Sequence, residues 1–143
     1  MKTQAVTMIG AIAIATAALA HEGVKDPGVK ARMDTMSRVG AATGVLGDMA
    51  KGKTAFDATQ AEAARASLVA AFKEVPEVFA EPHQDPKSEA LPVIWEQFDD
   101  FLAKNTEAIA AGEAMTLASL DDLRGSMGAL GASCGSCHKA YRK

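Results

Sequence analysis

The stretch SLDDLRGSMGALGASCGSCHKAY, Ser119 to Tyr141, decides the fold. Ser119 supplies a hydroxyl suited to a helix N-cap, and Asp122 stands three residues on at the capping-box position. Leu123, Met127, Leu130, Cys134, Cys137 and Tyr141 then recur at steps of four and three. Such a seam puts all six side chains on one face of a helix that packs almost parallel to its neighbours. The alternation of a half-buried strand is absent.

Three further segments upstream read the same way. The first opens at Asp26-Pro27, an N-cap carboxylate followed by proline at the first helical position, and closes near Lys51-Gly52. Its inward seam is predicted as Val29, Met33, Met36, Gly40, Thr43, Gly47 and Ala50. The second starts at Asp57 with Gln60 three residues later, and runs through Ala61, Ala64, Leu68, Ala71 and Val75 to a stop at Pro76, with a short turn around Val78 and Phe79. Residues 81–90, with Pro82, Pro86, His83, Asp85 and Ser88, form an exposed loop in which His83 is solvated. The third helical segment extends from Leu91 to Ala111, with Leu91, Ile94, Trp95, Phe98, Phe101, Leu102 and Ile109 on its apolar side and Gly112 as its stop. The expected fold is all-α: an antiparallel, left-handed four-helix bundle in one domain.

Composition bounds the function. The 143 residues are 48% hydrophobic, enough for a core without staples, so two cysteines need a chemical reason. Lys plus Arg number 15 against 18 Asp plus Glu, and this acidic balance leaves no excess to neutralise phosphates, which excludes nucleic acid as a partner.

The amino terminus addresses the chain. Met1-Lys2 is a short positive start, Ala5 to Ala20 is apolar, and Ala18-Leu19-Ala20 carries the small residues that signal peptidase needs. The segment 1–20 therefore reads as a secretory signal peptide cleaved after Ala20, leaving residues 21–143 as a periplasmic bundle domain with no stable membrane insertion.

Cys134-Gly135-Ser136-Cys137-His138 is the C-x-x-C-H attachment sequence for c-type haem. Three residues apart on a helix, the two thiols share a face and can each add across a vinyl group to form a thioether, and the adjacent imidazole can ligate the iron. A thioredoxin-like redox pair wants a βαβ setting, a zinc site wants further ligands, and a disulfide across one helical turn would close almost no loop. The cofactor expected is one covalently attached haem c. His21, the new terminus after cleavage, could chelate copper or nickel with its amine but lacks partner ligands.

The chain resembles the class II c-type cytochromes, the cytochrome c-prime family, and is most like its low-spin, methionine-ligated members. The marks are the haem motif near the C-terminus with Lys139-Ala140-Tyr141-Arg142 after it, Ile94-Trp95-Glu96 with Phe98 to Phe101, and Arg32 followed four residues later by Met36. The resemblance implies haem lodged between helices, His138 as proximal iron ligand, and the first helix facing the other side of the iron. It also implies two branches: electron carriers with a methionine as sixth ligand, and high-spin proteins that bind nitric oxide or carbon monoxide at an open distal site.

Met33 and Met36 both fall on the predicted seam, and spacing alone does not choose between them. The resemblance favours Met36 as distal ligand, with Met33 the alternative, and places Arg32 one turn earlier to meet a haem propionate. Gly40, Gly44 and Gly47 each cost about 1 kcal/mol in a helix interior, which points to close approach by another backbone or by the macrocycle, or to tolerance by a well-packed bundle. Trp95 reads as interhelical filling. Lys139, Arg142 and Lys143 either orient a redox partner or complement the helix dipole. The reading is a periplasmic electron-transfer cytochrome and not an enzyme, with redox proteins as partners. The small-residue face of the first helix would suit a homodimer contact unless its glycines face the haem.

Overall fold

The computed structural model describes residues 23–143, so the signal segment and His21 lie outside the described residues. Among the described residues the helices are α1 (Pro27–Ala50), α2 (Ala58–Val78), α3 (Val93–Glu96), α4 (Phe98–Glu113) and α5 (Leu120–Tyr141), with no strand beyond an isolated antiparallel bridge between Ala90 and Arg142. Since α3 is a single turn, the architecture is a bundle of four long helices. Helix α1 packs on α2, α2 on α4, α4 on α5, and α5 returns to α1 through the sparsest of these four contacts.

The three expected helix starts are present. The Val29 N–H donates to Asp26 Oδ1 at 2.9 Å, Gln60 N–H to Asp57 Oδ1 at 2.8 Å, and Asp122 N–H to Ser119 Oγ at 3.1 Å. Each satisfies a donor that the first helical turn leaves unpaired. The α2 face is buried at Ala61, Ala64, Leu68, Ala71 and Val75, as its spacing predicts, and Phe72 joins it.

The core divides into two clusters. One is built on Leu46, Leu68, Leu123 and Leu130. The other gathers Val75, Phe79, Ile94, Phe101 and Tyr141. In the second, the Phe101 ring lies 5.0 Å from that of Phe79 and meets Tyr141 edge-on at 5.4 Å.

Four features correct the sequence reading. The buried stripe of α1 is Val29, Arg32, Thr35, Val39, Ala42, Leu46 and Met49, so the predicted seam of Met33, Met36, Gly40, Thr43 and Gly47 is displaced around the helix and borders a cavity instead. Small and apolar residues cover both edges of α1; one edge packs on protein, and the edge picked by the period lines the cavity. Helix α2 continues past Pro76 to Val78. Proline there lacks the N–H that would bond the Phe72 carbonyl, and the buried Asn105 Nδ2 donates to that carbonyl instead, at 3.0 Å. The third segment breaks at Gln97 (φ −127°, ψ 42°), yet Ile94 and Phe101 on either side reach the same cluster, so the apolar phase hides the interruption. Gly112 does not stop α4, which runs to Glu113; it is buried where α4 crosses α2, and a Cβ there would sit 3.0 Å from Val69 Cγ2.

The C-terminus is clasped to the 88–91 loop. Lys143 N–H donates to the Glu89 carbonyl and Leu91 N–H to that of Tyr141, each at 2.9 Å. Arg142 Nε donates to Glu89 Oε2 at 2.6 Å, and Lys143 Nζ to the Ser88 carbonyl at 2.9 Å.

Candidate functional site

A cavity of about 1060 Å³ opens where α1 and α5 diverge. It is large even among cofactor pockets, which run to about 1,000 Å³. Met33, Met36 and Gly40 line it from α1, Phe72 from α2 and Phe79 from just past its end, Phe101 and Lys104 from α4, and Cys134, Cys137 and His138 from α5. The residues singled out in the first and last helices thus share one cavity.

Cys134 and Cys137 are half-buried, free thiols. Burial pushes both thiols up from the usual range; at Cys137 the charge of Lys104 works against that rise. Burial also pulls the His138 imidazole down, the positive Arg142 adds to this, and Glu89 opposes it. A neutral imidazole keeps the lone pair that a metal ligand needs. Among the described residues no group of three or more His, Cys, Asp and Glu could hold a metal ion.

Met36 and Met33 differ in their surroundings. Met36 packs against the cluster of Phe101 and Tyr141, as Cys137 does from α5. Met33 lines the cavity outside that cluster.

Arg32 is only 2% exposed. Its guanidinium lies over the rings of Trp95 and Phe79, at 4.9 and 5.4 Å from their centroids, and NH2 donates to the His83 carbonyl at 2.6 Å. Nε and NH1 are buried without a hydrogen-bond partner. Burial works against this charge, with Asp26 opposing the effect. A buried guanidinium with unpaired donors beside a cavity is costly unless an anion reaches it from that cavity.

The platform beneath Arg32 was not legible in the sequence. Trp95 is interhelical filling as expected, but its Nε1 also donates to the Phe79 carbonyl at 2.9 Å, locking the two rings together. His83 is exposed, as expected of its loop, yet not simply solvated: Nδ1 lies 3.1 Å from Asp26 Oδ1. Lys104 carried no motif at all.

Gly40, Gly44 and Gly47 face the cavity, and a Cβ on any of them would meet no protein atom within 4 Å. No other helix of this chain packs on them. They leave width for a flat group lying against α1.

Thiols, imidazole, thioether, an unsatisfied cation and a side-chain-free wall in one apolar cavity fit a haem. Comparison with known proteins agrees. The family model for cytochrome C′ matches residues 28–142. The chain is 39% identical to cytochrome c-554 of Cereibacter sphaeroides, covering 80% of each sequence. A structure of oxidized cytochrome c556 from R. palustris superposes with a TM-score of 0.75 at 25% identity, covering 82% of this chain and 96% of that one. A nitric oxide complex of a cytochrome c prime variant from Alcaligenes xylosoxidans gives 0.71 at 29% identity, covering 81% and 94%. This chain belongs to the cytochrome c′ family of electron-carrier haem proteins and carries a covalently attached haem c.

Proposed function

We propose that this is a periplasmic electron carrier whose haem is held by thioethers from Cys134 and Cys137 and ligated by His138 and Met36. The observation that carries it is the packing of Met36 on the cluster that also receives Cys137, whereas Met33 lies outside that cluster. Bound haem supplies one-electron chemistry at its iron. The chain fixes it and restricts rearrangement: covalent bonds tie it to α5, a thioether from α1 supports the reduced state, and Arg32 turns its unpaired donors to a propionate. The similarity to cytochromes c-554 and c556 supports this branch. The N-terminal pattern supports export and processing after Ala20.

The test is the optical spectrum of the ferric protein. A methionine-to-iron charge-transfer band is expected, lost in Met36→Ala and kept in Met33→Ala. Loss in Met33→Ala alone moves the ligand to Met33. A high-spin wild-type spectrum gives the gas-binding reading instead, which the nitric oxide complex of a structural neighbour favours.

Redox proteins are the partners of such a carrier. Of the three terminal cations, Arg142 and Lys143 are engaged by the 88–91 loop, which leaves Lys139 exposed for an approaching surface. Among the described residues no helix is long and apolar enough to cross a membrane. A second copy of the chain would pack on the α1–α2 face, where Val45 is exposed beside Ala41 and Ala63, because the glycines of α1 are turned to the cavity. Sedimentation velocity at several concentrations decides: a dimer that Val45→Asp dissociates places the contact on this face, and a monomer throughout follows if the cavity glycines leave α1 without a partner helix.

A further inference from the structure

We propose that Lys104 raises the reduction potential of this protein, acting as a fixed positive charge beside the attachment cysteines. The inference rests on haem occupying the cavity between α1 and α5. Lys104 projects from α4 into the lining of that cavity, with 24% of its side chain exposed. Nζ lies 3.4 Å from the hydroxyl of Ser136, in the short arc between Cys134 and Cys137. The other residues through which α4 lines the cavity, Phe101, Asn105 and Ala108, carry no charge.

This charge is poorly neutralised. Its carboxylate neighbour, Asp100 Oδ2, is 3.9 Å away, at the limit of an ion pair. The same oxygen accepts a hydrogen bond from the Tyr141 phenol at 2.5 Å, so it is already engaged. A half-buried ammonium beside an apolar cavity acts through a lower effective dielectric than water and is screened little by salt. It favours the oxidation state with one positive charge fewer, the ferrous state. Asp100, on the same side, acts with the opposite sign.

The experiment is an equilibrium redox titration of the holoprotein at low and high ionic strength. Lys104→Met should displace the ferric/ferrous balance about threefold to tenfold toward ferric, the upper end being about 59 mV for a one-electron couple. Lys104→Arg should stay within about twofold of wild type, Asp100→Asn should move the balance toward ferrous, and the Lys104→Met displacement should persist at high salt. Should Lys104→Met not fold, Lys104→Gln gives the same displacement. The proposal is overturned if the lysine variant stays within about twofold of wild type, if the Lys104 and Asp100 variants move in the same direction, or if the displacement vanishes at high salt. The wild-type ferric spectrum judges the Met36 reading separately, because the sign of the Lys104 effect holds for either spin state.

Discussion

Asn105 donates its side-chain N–H to the Phe72 carbonyl, the group that Pro76 leaves without a helical partner. Both residues are buried and both line the haem cavity. Replacing Asn105 by Leu should cost about 1–3 kcal/mol, the price of an unsatisfied buried carbonyl. Pro76→Ala restores the helical donor, so adding it to Asn105→Leu should recover much of that loss. Denaturant titration of the four proteins in the cycle measures the coupling.

Tyr141 should remain un-ionised well into the alkaline range. Its hydrogen bond to Asp100, reinforced by burial and the negative carboxylate, pushes the phenol up to about 12. The folded state thus holds this proton more tightly than the unfolded chain, whose phenol titrates near 10. The resulting stabilisation is complete below about pH 10 and is lost as pH rises toward 12. Thermal midpoints should fall across that window more steeply in wild type than in Tyr141→Phe, and this is the chain's single tyrosine, so tyrosinate absorbance reports one site.

The cavity glycines should separate helix stability from haem binding. Gly40→Leu should strengthen α1 by up to about 1 kcal/mol in the apoprotein, since a Cβ there meets no protein atom, yet hinder haem incorporation. Gly128→Leu on α5 is the control: it is exposed and equally uncrowded, and it should leave haem content unchanged. Circular dichroism of the apoprotein and haem-to-protein ratio of the holoprotein give the two readings.

Cys134→Ala combined with Cys137→Ala should abolish retention of haem after acid extraction. Haem that stays attached to this double variant would contradict the assignment of both thioethers. Loss of haem should also loosen the bundle, because the ligand stabilises only the state that binds it.

The attachment motif was legible because five adjacent residues carry its chemistry and helical spacing brings its thiols together. The caps were equally local: Asp26, Asp57 and Ser119 each act on an N–H three residues away. What the sequence hid depends on pairs far apart in the chain. Asn105 rescues a carbonyl 33 residues upstream, and Arg32 rests on Phe79 and Trp95 while bonding His83, 51 residues on. The register of α1 failed for another reason. One edge of that helix packs on protein and the other borders the haem cavity, and hydrophobic periodicity cannot tell a side-chain core from a cofactor that serves as one.

The C-terminal clasp sets the order of assembly. Helices α1 and α2 form an extensive contact from neighbouring stretches of chain, whereas the bonds of Leu91 to the Tyr141 carbonyl and of Glu89 to Arg142 and Lys143 join residues about 50 positions apart, and such non-local contacts close later in folding. The turn that carries His138 is therefore among the last parts of the molecule to be fixed. Until then the two thiols are open to whatever machinery joins them to the porphyrin, and a substitution that breaks the Glu89–Arg142 pair would leave that turn loose.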